Sequence, residues 1–177
     1  LYKLKGVAEI ADQLSLFNEQ PPPANLLLRS KKAGFADKQI AILCNSDEKV
    51  VRDWRHRAGL APVIRQIDTL AAEYPATTNY LYLTYNGVED DVGADKEPAV
   101  MILGSGAYRI GSSVEFDWCC VNAGLTLKDL KYRTIMLNYN PETVSTDYDL
   151  FDKLIFDEIS LENVVEIYKK LRPEGVI

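Results

Sequence analysis

The sequence predicts a helical N-terminal region followed by an α/β domain built on a parallel sheet. Helical hydrophobic periodicity with glycine stops fills the first half of the chain. In the second half, unbroken apolar runs, which are typical of strands buried on both faces, alternate with helical patterns. Residues 86–98 combine glycine and proline breaks with several acidic side chains, and they mark the boundary between the two domains.

The first half contains four helical patterns. We predict helices at residues 24–33, 37–43, 47–58 and 63–73. Gly34 and Gly59 directly follow two of them, as expected for residues that end helices in the left-handed conformation. Ser46 is placed to cap the third helix, because its hydroxyl can accept from an amide of the first turn. Residues 80–85 read Tyr, Leu, Tyr, Leu, Thr, Tyr, and this alternation predicts an extended segment.

The second half alternates strands with helices. We predict strands at residues 99–103, 134–137 and 153–156, and helices at residues 114–130 and 161–171. Val176 would open a fourth strand, so we expect the sheet to be truncated at its C-terminal end and the chain to be part of a longer protein. This alternation implies right-handed βαβ units and a parallel sheet. The predicted domains are residues 1–92, which are helical, and residues 93–177.

The composition narrows the class of protein. With 47% hydrophobic and 26% charged residues the chain can bury a core, and its net charge of −6 argues against a nucleic-acid or anionic-membrane partner. No apolar run approaches the roughly 20 residues that span a bilayer. The three cysteines are odd in number and lack a CxxC pair or a histidine cluster. We therefore expect a reduced, cytoplasmic protein with no metal site.

Glycines and polar side chains cluster after the first two predicted strands of the α/β domain. Gly104 and Gly106 follow the first strand, and Arg109 and Glu115 come next. A polar turn at residues 138–149 follows the second strand. Because open α/β sheets bind ligands at the carboxyl ends of their strands, the cluster predicts a ligand site. The structural alternative is an ordinary surface ion pair between Arg109 and Glu115, and their spacing does not decide between the two.

The glycine pattern argues against a dinucleotide site. The third glycine of the GxGxxG motif is misplaced here, at Gly111, and the second strand ends in Asn, Tyr and Asn rather than in the acid that binds a ribose. No GxxxxGK[ST] phosphate loop is present. The polar turn also has a structural explanation, since an Asn-Pro pair starts a turn and Thr143 or Ser145 can cap it. His56, the single histidine, has no matching nucleophile, which argues against a Ser-His-Asp or Cys-His site.

A DNA-binding or protein-interaction module is the alternative function. Residues 36–60 read as a short helix, a tight turn and a second, basic helix, which is the pattern of a helix-turn-helix. The basic side chains of the second helix are Lys49, Arg52, Arg55 and Arg57. Acidic side chains dilute this face and the whole chain is acidic, so a packing module with solvated arginines is the simpler interpretation.

Two polar segments of the α/β domain are distinctive: GSGAYRIGSSVEFDWC at residues 104–119 and NYNPETVSTDYD at residues 138–149. They resemble the second synthetase half of the large subunit of carbamoyl phosphate synthetase. QIDTLAAEYPATTNYLYLTYNG and RSKKAGFADKQIA, upstream, resemble the helical oligomerisation domain that precedes this half. The resemblance covers roughly residues 24–177, and residues 1–23 match nothing that we can assign.

The resemblance implies a Rossmann-like domain of the type that precedes an ATP-grasp domain. In this family, ATP phosphorylates carbamate to carbamoyl phosphate in the second half, in pyrimidine or arginine biosynthesis. The full enzyme, an ATP-dependent ligase, uses ATP, Mg²⁺ and K⁺ and works with a glutaminase subunit or domain. The implied partners are the rest of the large subunit, the glutaminase and a second copy through the helical region. The resemblance places no catalytic residue, cofactor or metal in this chain, and it implies that the chain alone is inactive.

The resemblance also assigns roles to single residues. The positions of Arg109, Ser113 and Glu115 resemble those that line the carbamate tunnel at the second site. A glycine often stands at the position of Ser113 in the bacterial-type pattern, so a somewhat different tunnel wall is expected here. Gly104 and Gly106 would let the backbone approach closely at the strand end.

Overall fold

The computed structural model describes residues 2–75, 78–106 and 114–177. It contains two compact units, Leu1–Pro62 and Val63–Ile177. These units divide earlier in the chain than the predicted domains, which meet at residues 92 and 93. The predicted domain boundary therefore stays a prediction about the modules of the parent protein, and each compact unit is described by itself below.

The first unit is helical. Its helices are α1 (Tyr2–Leu14), α2 (Ala24–Lys32), α3 (Asp37–Leu43) and α4 (Glu48–Arg57). The last three confirm the predicted helices, whereas α1 covers a segment for which the sequence patterns gave no assignment. Ile10 and Leu14 of α1 are buried against α2 and α3 in the core of the unit. The other buried core residues are Leu26, Leu27, Ile40, Ala41, Cys44, Val51 and Trp54.

Left-handed residues end three of these helices. Gly34 and Gly59 have φ of 95° and 70° and follow α2 and α4, as predicted. Asn45, with φ of 48°, ends α3 in the same way, and the next amide, that of Ser46, donates to the carbonyl of Ala41 at 2.8 Å. The prediction that Ser46 caps α4 is wrong, because this residue closes α3. The next residue, Asp47, caps α4 by accepting from the amide of Lys49 at 2.8 Å.

A buried ionic cluster joins the helices of the first unit. Arg55 of α4 donates to Asp37 at the start of α3, with Nη2 at 2.9 Å from Oδ2 and Nε at 3.2 Å from Oδ1. Lys31 of α2 lies 3.1 Å from Oδ1 of the same carboxylate. The side chains of Asp37 and Arg55 are fully buried and that of Lys31 is 3% exposed. The carboxylate of Asp37 therefore binds two cations, and these contacts join α2, α3 and α4.

The two cations of the cluster also donate to backbone carbonyls. Lys31 Nζ donates to the carbonyl of Phe35 at 2.6 Å, and Arg55 Nη1 donates to that of Leu60 at 3.0 Å. Burial by itself would raise the pKa of Asp37. The hydrogen bond from Arg55 and the positive charges of Lys31 and Arg55 outweigh burial and hold the pKa below its ordinary value.

The second unit is a six-stranded sheet with helices on both faces. Its strands are β1 (Val63–Gln66), β2 (Tyr80–Thr84), β3 (Ala99–Leu103), β4 (Arg133–Asn138), β5 (Lys153–Phe156) and β6 (Gly175–Val176). The spatial order is β1-β2-β5-β4-β3-β6, and every pair is parallel except β1 with β2. The order β5-β4-β3-β6 is the 3-2-1-4 order of a Rossmann-like half, with the reversal between β3 and β6. The predicted α/β class and its mainly parallel sheet are confirmed.

Two helices cover the two faces of this sheet. Leu127 of α5 (Val114–Asp129) packs with Val100 and Ile102 of β3. Ile167 and Leu171 of α6 (Leu161–Leu171) pack on the opposite face, with Ala99 and Met101. Alternate residues of β3 thus enter two separate cores, which explains why the strand reads as an unbroken apolar run.

The helix predicted at residues 63–73 is wrong. Val63–Gln66 forms β1, which pairs with β2 in register from Val63 with Thr84 to Gln66 with Leu81. The Asp68 carboxylate then accepts from the amides of Leu70 and Ala72 and turns the chain. The spacing of apolar residues in this segment indicated a helix. Pairing with β2 buries Ile64 completely, and this tertiary contact decides the conformation.

Residues 86–98, predicted as a linker, cover the free edge of β1. Asp90 Oδ1 accepts from the amide of Ile64 at 2.7 Å, and Asp91 Oδ2 accepts from that of Gln66 at 2.8 Å. The Asp91 amide in turn donates to the Ile64 carbonyl at 2.8 Å. The outward-facing polar groups of the edge strand are therefore satisfied within the chain.

We expect Asp37→Asn to destabilise the first unit by about 3–5 kcal/mol, because it leaves the fully buried Arg55 guanidinium without its counter-charge. Urea denaturation at neutral pH, followed by the fluorescence of the buried Trp54, would measure this change. A Trp118→Phe background makes Trp54 the sole reporter, since the chain has two tryptophans. The control is Asp53→Asn on exposed α4 surface, which should change stability by less than about 0.5 kcal/mol. Equal effects of the two variants would contradict the role of the cluster.

The same cluster predicts a pH dependence. The folded-state pKa of Asp37 is lowered, so its stabilisation is fully present above the unfolded pKa of about 4 and is lost as the pH falls through the folded pKa. The free energy of unfolding of the first unit should therefore decrease from about pH 4 downward. In Asp37→Asn this decrease should be shallower over the same range. Parallel acid profiles for the two proteins would show that Asp37 does not contribute.

Candidate functional site

The candidate site lies at the carboxyl end of β3. The amide of Gly104 still donates to the carbonyl of Leu137 at 2.8 Å, so the turn at residues 104–106 begins while the chain is paired with β4. Glu115 stands at the start of α5 and is exposed. Arg109 and Ser113, with Gly111, lie outside the described residues, and their predicted positions stay predictions.

The two glycines of the turn make room for the side chains that end β4. A Cβ on Gly104 would lie 2.6 Å from Cγ of Asn138. Gly106 has a φ of 74°, and a Cβ there would lie 2.7 Å from the hydroxyl oxygen of Tyr139. Both positions therefore need glycine for packing inside the protein, which sequence reasoning did not foresee. The predicted close approach of a ligand to this backbone stays a prediction.

Asn138 occupies the position where a dinucleotide fold has its ribose-binding acid. It is completely buried. Its Oδ1 accepts from the amide of Asn140 at 3.2 Å, and its Nδ2 donates to Oγ1 of Thr143 at 3.4 Å. The side chain thus holds the loop that follows β4, which is a structural role.

Hydroxyl groups organise the polar turn after β4. Thr143 Oγ1 lies 3.1 Å from both Ser145 Oγ and Thr146 Oγ1, and all three residues are buried. Thr146 Oγ1 also donates to the Pro141 carbonyl at 3.0 Å. The turn contains a short 3-10 helix, η1 (Val144–Thr146), for which Thr143 is the N-cap residue. The interpretation that much of this polar turn is structural agrees with these bonds.

Asp117 connects this turn to α5. Its side chain is buried, and Oδ2 accepts from the amide of Ser145 at 3.2 Å. Its second oxygen, Oδ1, is buried and has no hydrogen-bond partner among the residues that the structure describes. No sequence signal set Asp117 apart, because it lies in the first turn of α5, where acids suit the helix dipole in any case.

A cavity of about 360 Å³ opens between α5 and η1. Apolar atoms form nearly all of its wall. The lining residues are Val114, Glu115, Asp117, Trp118, Val121 and Val144. The predicted site residue Glu115 is thus brought together with Asp117, which was not predicted.

A second carboxylate, that of the partly buried Asp157, lies at the carboxyl end of β5. Asp157 accepts from the amides of Leu83 and Glu158 at 3.2 and 2.8 Å, and from Asn163 Nδ2 at 2.7 Å. Burial raises its pKa, and the neighbouring charges of Glu158 and Glu162 act in the same direction. The bonds tie β2, β5 and α6 together, so its role here is structural.

Two of the three thiols, those of Cys44 and Cys120, lie in environments that disfavour the thiolate. Burial raises the pKa of Cys44, which lies in the core of the first unit. Burial also raises the pKa of Cys120, and the negative charge of Asp117 adds to this effect. Because the thiolate is the nucleophile, these shifts disfavour cysteine chemistry at both residues.

The structure contradicts the basic face proposed for a helix-turn-helix. Arg55 is completely buried against Asp37 and cannot reach a nucleic acid. Arg52 has a side chain only 14% exposed and lies 3.6 Å from Glu48 of the same helix. Two of the four basic side chains, those of Arg52 and Arg55, thus form ion pairs within the first unit.

Residues 2–75, 78–106 and 114–177 contain neither a metal-ligand cluster nor a helix that could span a membrane. In those parts of the chain, no group of three or more His, Cys, Asp or Glu side chains is placed to hold a metal ion. None of the helices found there has the length and apolar character needed to cross a membrane.

Two family models match this chain. The carbamoyl-phosphate synthetase large chain oligomerisation domain matches residues 1–59. The carbamoyl phosphate synthase preATP-grasp domain matches residues 96–177. The first match includes residues 1–23, so the resemblance noted in the sequence began too late in the chain.

Curated relatives align with the whole chain. The multifunctional protein CAD of Squalus acanthias is 54% identical over 178 residues, and the chain covers 8% of its length. The multifunctional protein URA2 of Saccharomyces cerevisiae is 50% identical, again with 8% of its length covered. The mitochondrial arginine-specific large chain of carbamoyl phosphate synthase from Neurospora crassa is 49% identical, with 15% of its length covered.

The chain thus spans between 8% and 15% of the length of these relatives. Each compact unit contains one of the two matched domains, the oligomerisation domain in the first and the preATP-grasp domain in the second. The chain belongs to the carbamoyl phosphate synthetase large-chain family.

Proposed function

We propose that the chain supplies the oligomerisation region and part of the carbamate-tunnel wall of a carbamoyl phosphate synthetase. In the parent protein, the adjoining half transfers a phosphoryl group from ATP to carbamate and gives carbamoyl phosphate and ADP. One observation carries the proposal. The domain matched by the preATP-grasp model has a Rossmann-like strand order and brings Glu115 to the carboxyl edge of its sheet.

The proposed role of the tunnel residues is to hold and protect a labile intermediate. Carbamate is an anion with amide hydrogens, so a guanidinium at Arg109 would donate to its oxygens and a carboxylate at Glu115 would accept from its nitrogen. A small side chain at Ser113 would leave the passage open. Apolar walls such as Val114 and Val121 would exclude water, which would otherwise allow carbamate to decompose.

The cofactors and partners belong to the parent protein in this proposal. ATP, Mg²⁺ and K⁺ would be bound by its ATP-grasp domain, and ammonia would come from a glutaminase subunit or domain. Self-association would involve the helical first unit, whose matched domain is described as an oligomerisation domain. Relatives at similar identity include multifunctional proteins and an arginine-specific large chain, so the comparisons favour neither pathway. A cytoplasmic location stays a prediction, and the name of one relative places that protein in mitochondria.

The 177-residue chain alone should neither bind ATP tightly nor make carbamoyl phosphate. The reason is that the two matched domains are an oligomerisation domain and a preATP-grasp domain, whereas the proposal places the nucleotide and Mg²⁺ in the ATP-grasp domain of the parent protein. Calorimetry with ATP and Mg²⁺, together with a phosphate-release assay, would measure this. Sustained ATP turnover by the purified chain, scaling with its concentration, would contradict the proposal.

In the parent protein, Glu115→Gln should lower glutamine-dependent carbamoyl phosphate synthesis by about tenfold, the loss expected for one hydrogen bond to a charged group. The reverse reaction, in which carbamoyl phosphate and ADP give ATP and carbamate, starts at the second site and should change much less. The overall rate and this partial rate would be measured on the same preparation.

The matched control is Glu174→Gln, which makes the same charge change at an exposed residue just before β6, at the amino edge of the sheet. It should leave both rates unchanged. An equal loss of both rates in Glu115→Gln would assign Glu115 to the phosphoryl-transfer step or to folding, and would overturn its role in the tunnel.

A further inference from the structure

An asparagine is followed by glycine at one place in the sequence, Asn86–Gly87. The pair comes shortly after β2, in backbone that is neither helix nor strand, and Asn86 is exposed. The Asn86 amide donates to Oγ1 of Thr84 at 3.1 Å. Among the described residues, neither the side chain of Asn86 nor the amide of Gly87 has a hydrogen-bond partner. The side-chain carbonyl and the amide nitrogen that follows it are therefore both free to react.

Such a pair can lose ammonia without an enzyme, since asparagine is a chemically labile residue. The Gly87 amide gives its proton to solvent, and its nitrogen then attacks Cγ of Asn86. The new C–N bond closes a succinimide ring, and Nδ2 of Asn86 takes a proton from solvent and leaves as ammonia. Water opens the ring at one of its two carbonyls and gives aspartate or isoaspartate. Glycine favours the attack, because it has no Cβ and rotates freely about its backbone bonds.

Packing against β1 selects the glycine that makes Asn86 labile. A Cβ on Gly87 would collide with Cγ2 of Val63 and would lie 3.2 Å from Cδ of Arg65, both in β1. A larger residue at this position would slow the closure of the ring, but it would also push the segment away from the strand. The fold therefore retains a reactive pair for a structural reason.

A second exposed asparagine shows how the fold can protect such a position. Asn45 is exposed and is followed by a small residue, Ser46. The Ser46 amide, however, donates to the carbonyl of Ala41 at 2.8 Å, and it would have to give up this bond before its nitrogen could attack. The nitrogen that follows Asn86 has no such restraint among the described residues.

Deamidation of Asn86 would act on the segment that covers β1. Asp90 and Asp91 follow shortly after Asn86 and accept from the amides of Ile64 and Gln66. Isoaspartate inserts an extra main-chain carbon between β2 and these two aspartates. Either product also adds a negative charge to a segment that is already acidic, and like charges repel. Both changes weaken the attachment of the segment to the edge strand.

We propose that Asn86–Gly87 is a site of spontaneous deamidation in the folded protein, and that its products loosen the cover of β1. The product accumulates with time, so the pair gives the chain a covalent mark of its age. The proposal goes beyond the carbamate role and does not rest on it, because no predicted tunnel residue takes part.

Peptide mapping by mass spectrometry tests the proposal on the folded 177-residue chain, incubated in mildly alkaline buffer. Isoaspartate would be detected by enzymatic methylation with a labelled methyl donor. Deamidation at Asn86 should be at least about tenfold faster than at Asn45, because the Ser46 amide must first break its hydrogen bond. Unfolding in urea should raise the rate at Asn45 more than the rate at Asn86, since the fold restrains only the former.

Two variants separate the site from its surroundings. Asn86→Gln keeps an amide but must close a larger ring, so it should lose the product, and circular dichroism would verify its fold. Asn18→Gln makes the same change at another exposed asparagine and should leave the product at Asn86 unaltered. Hydrogen exchange at Ile64 and Gln66 should be faster in the incubated wild type than in the fresh protein. In Asn86→Gln, incubation should not change this exchange.

Four outcomes would overturn the proposal. Equal rates at Asn86 and Asn45 in the folded chain would show that the free amide gives no advantage. A rate at Asn86 that rises on unfolding as much as that at Asn45 would show that the fold protects both. Ammonia release that persists in Asn86→Gln would assign the chemistry to another residue. Unchanged exchange in fully deamidated protein would show that the modification does not reach β1.

Discussion

The parallel pairing of β3 with β4 is the constraint on which the candidate site depends. The register runs from Ala99 with Arg133 to Leu103 with Leu137, and it brings both strands to an end at the same edge of the sheet. The glycine turn after β3 then lies directly against Asn138 and Tyr139 at the end of β4. A register shift of one residue would turn every side chain of β3 to the other face, and both cores would be lost.

Asn138 transmits this constraint to the rest of the edge. It is buried beside Gly104, and its amide holds Asn140 and Thr143 in the following loop. That loop carries Ser145, whose amide binds Asp117 of α5. A chain of short contacts therefore links β4 to the start of α5, where Glu115 stands. The turn after β4 therefore has two roles. It fixes α5 through the bond from Ser145 to Asp117, and its Val144 lines the cavity between α5 and η1.

Local patterns predicted the fold where local and tertiary preferences agree. The apolar run of β3, the helix α6 and the glycines that end α2 and α4 could all be found in this way, because burial and capping act over a few residues. Residues 63–73 could not, since Val63–Gln66 becomes a strand only by pairing with β2, fourteen or more residues away. Ser46 was misassigned for a related reason. Ser46 and Asp47 are both good capping residues. The amide of Ser46 closes α3, and the side chain of Asp47 caps α4.

The site was less predictable than the fold. Motif resemblance predicts tunnel roles for Arg109, Ser113 and Glu115, and these roles stay predictions. It says nothing of long-range contacts such as that of Asp117 with Ser145, which lie far apart in sequence. The burial of Arg55 was hidden in the same way. In the sequence, Arg55 is one of several arginines on a basic helix. Only the fold shows that its guanidinium pairs with the Asp37 carboxylate.

The covered edge of β1 has a consequence for the behaviour of the chain at high concentration. An edge strand offers its free amides to any extended segment, and intermolecular strand addition is a common beginning of aggregation. Here the amides of Ile64 and Gln66 are already bound by Asp90 and Asp91. An incoming strand would have to displace two carboxylates that are also held by Lys170 and Arg65. The acidic segment therefore closes this edge to strand addition, and loss of both aspartates would open it.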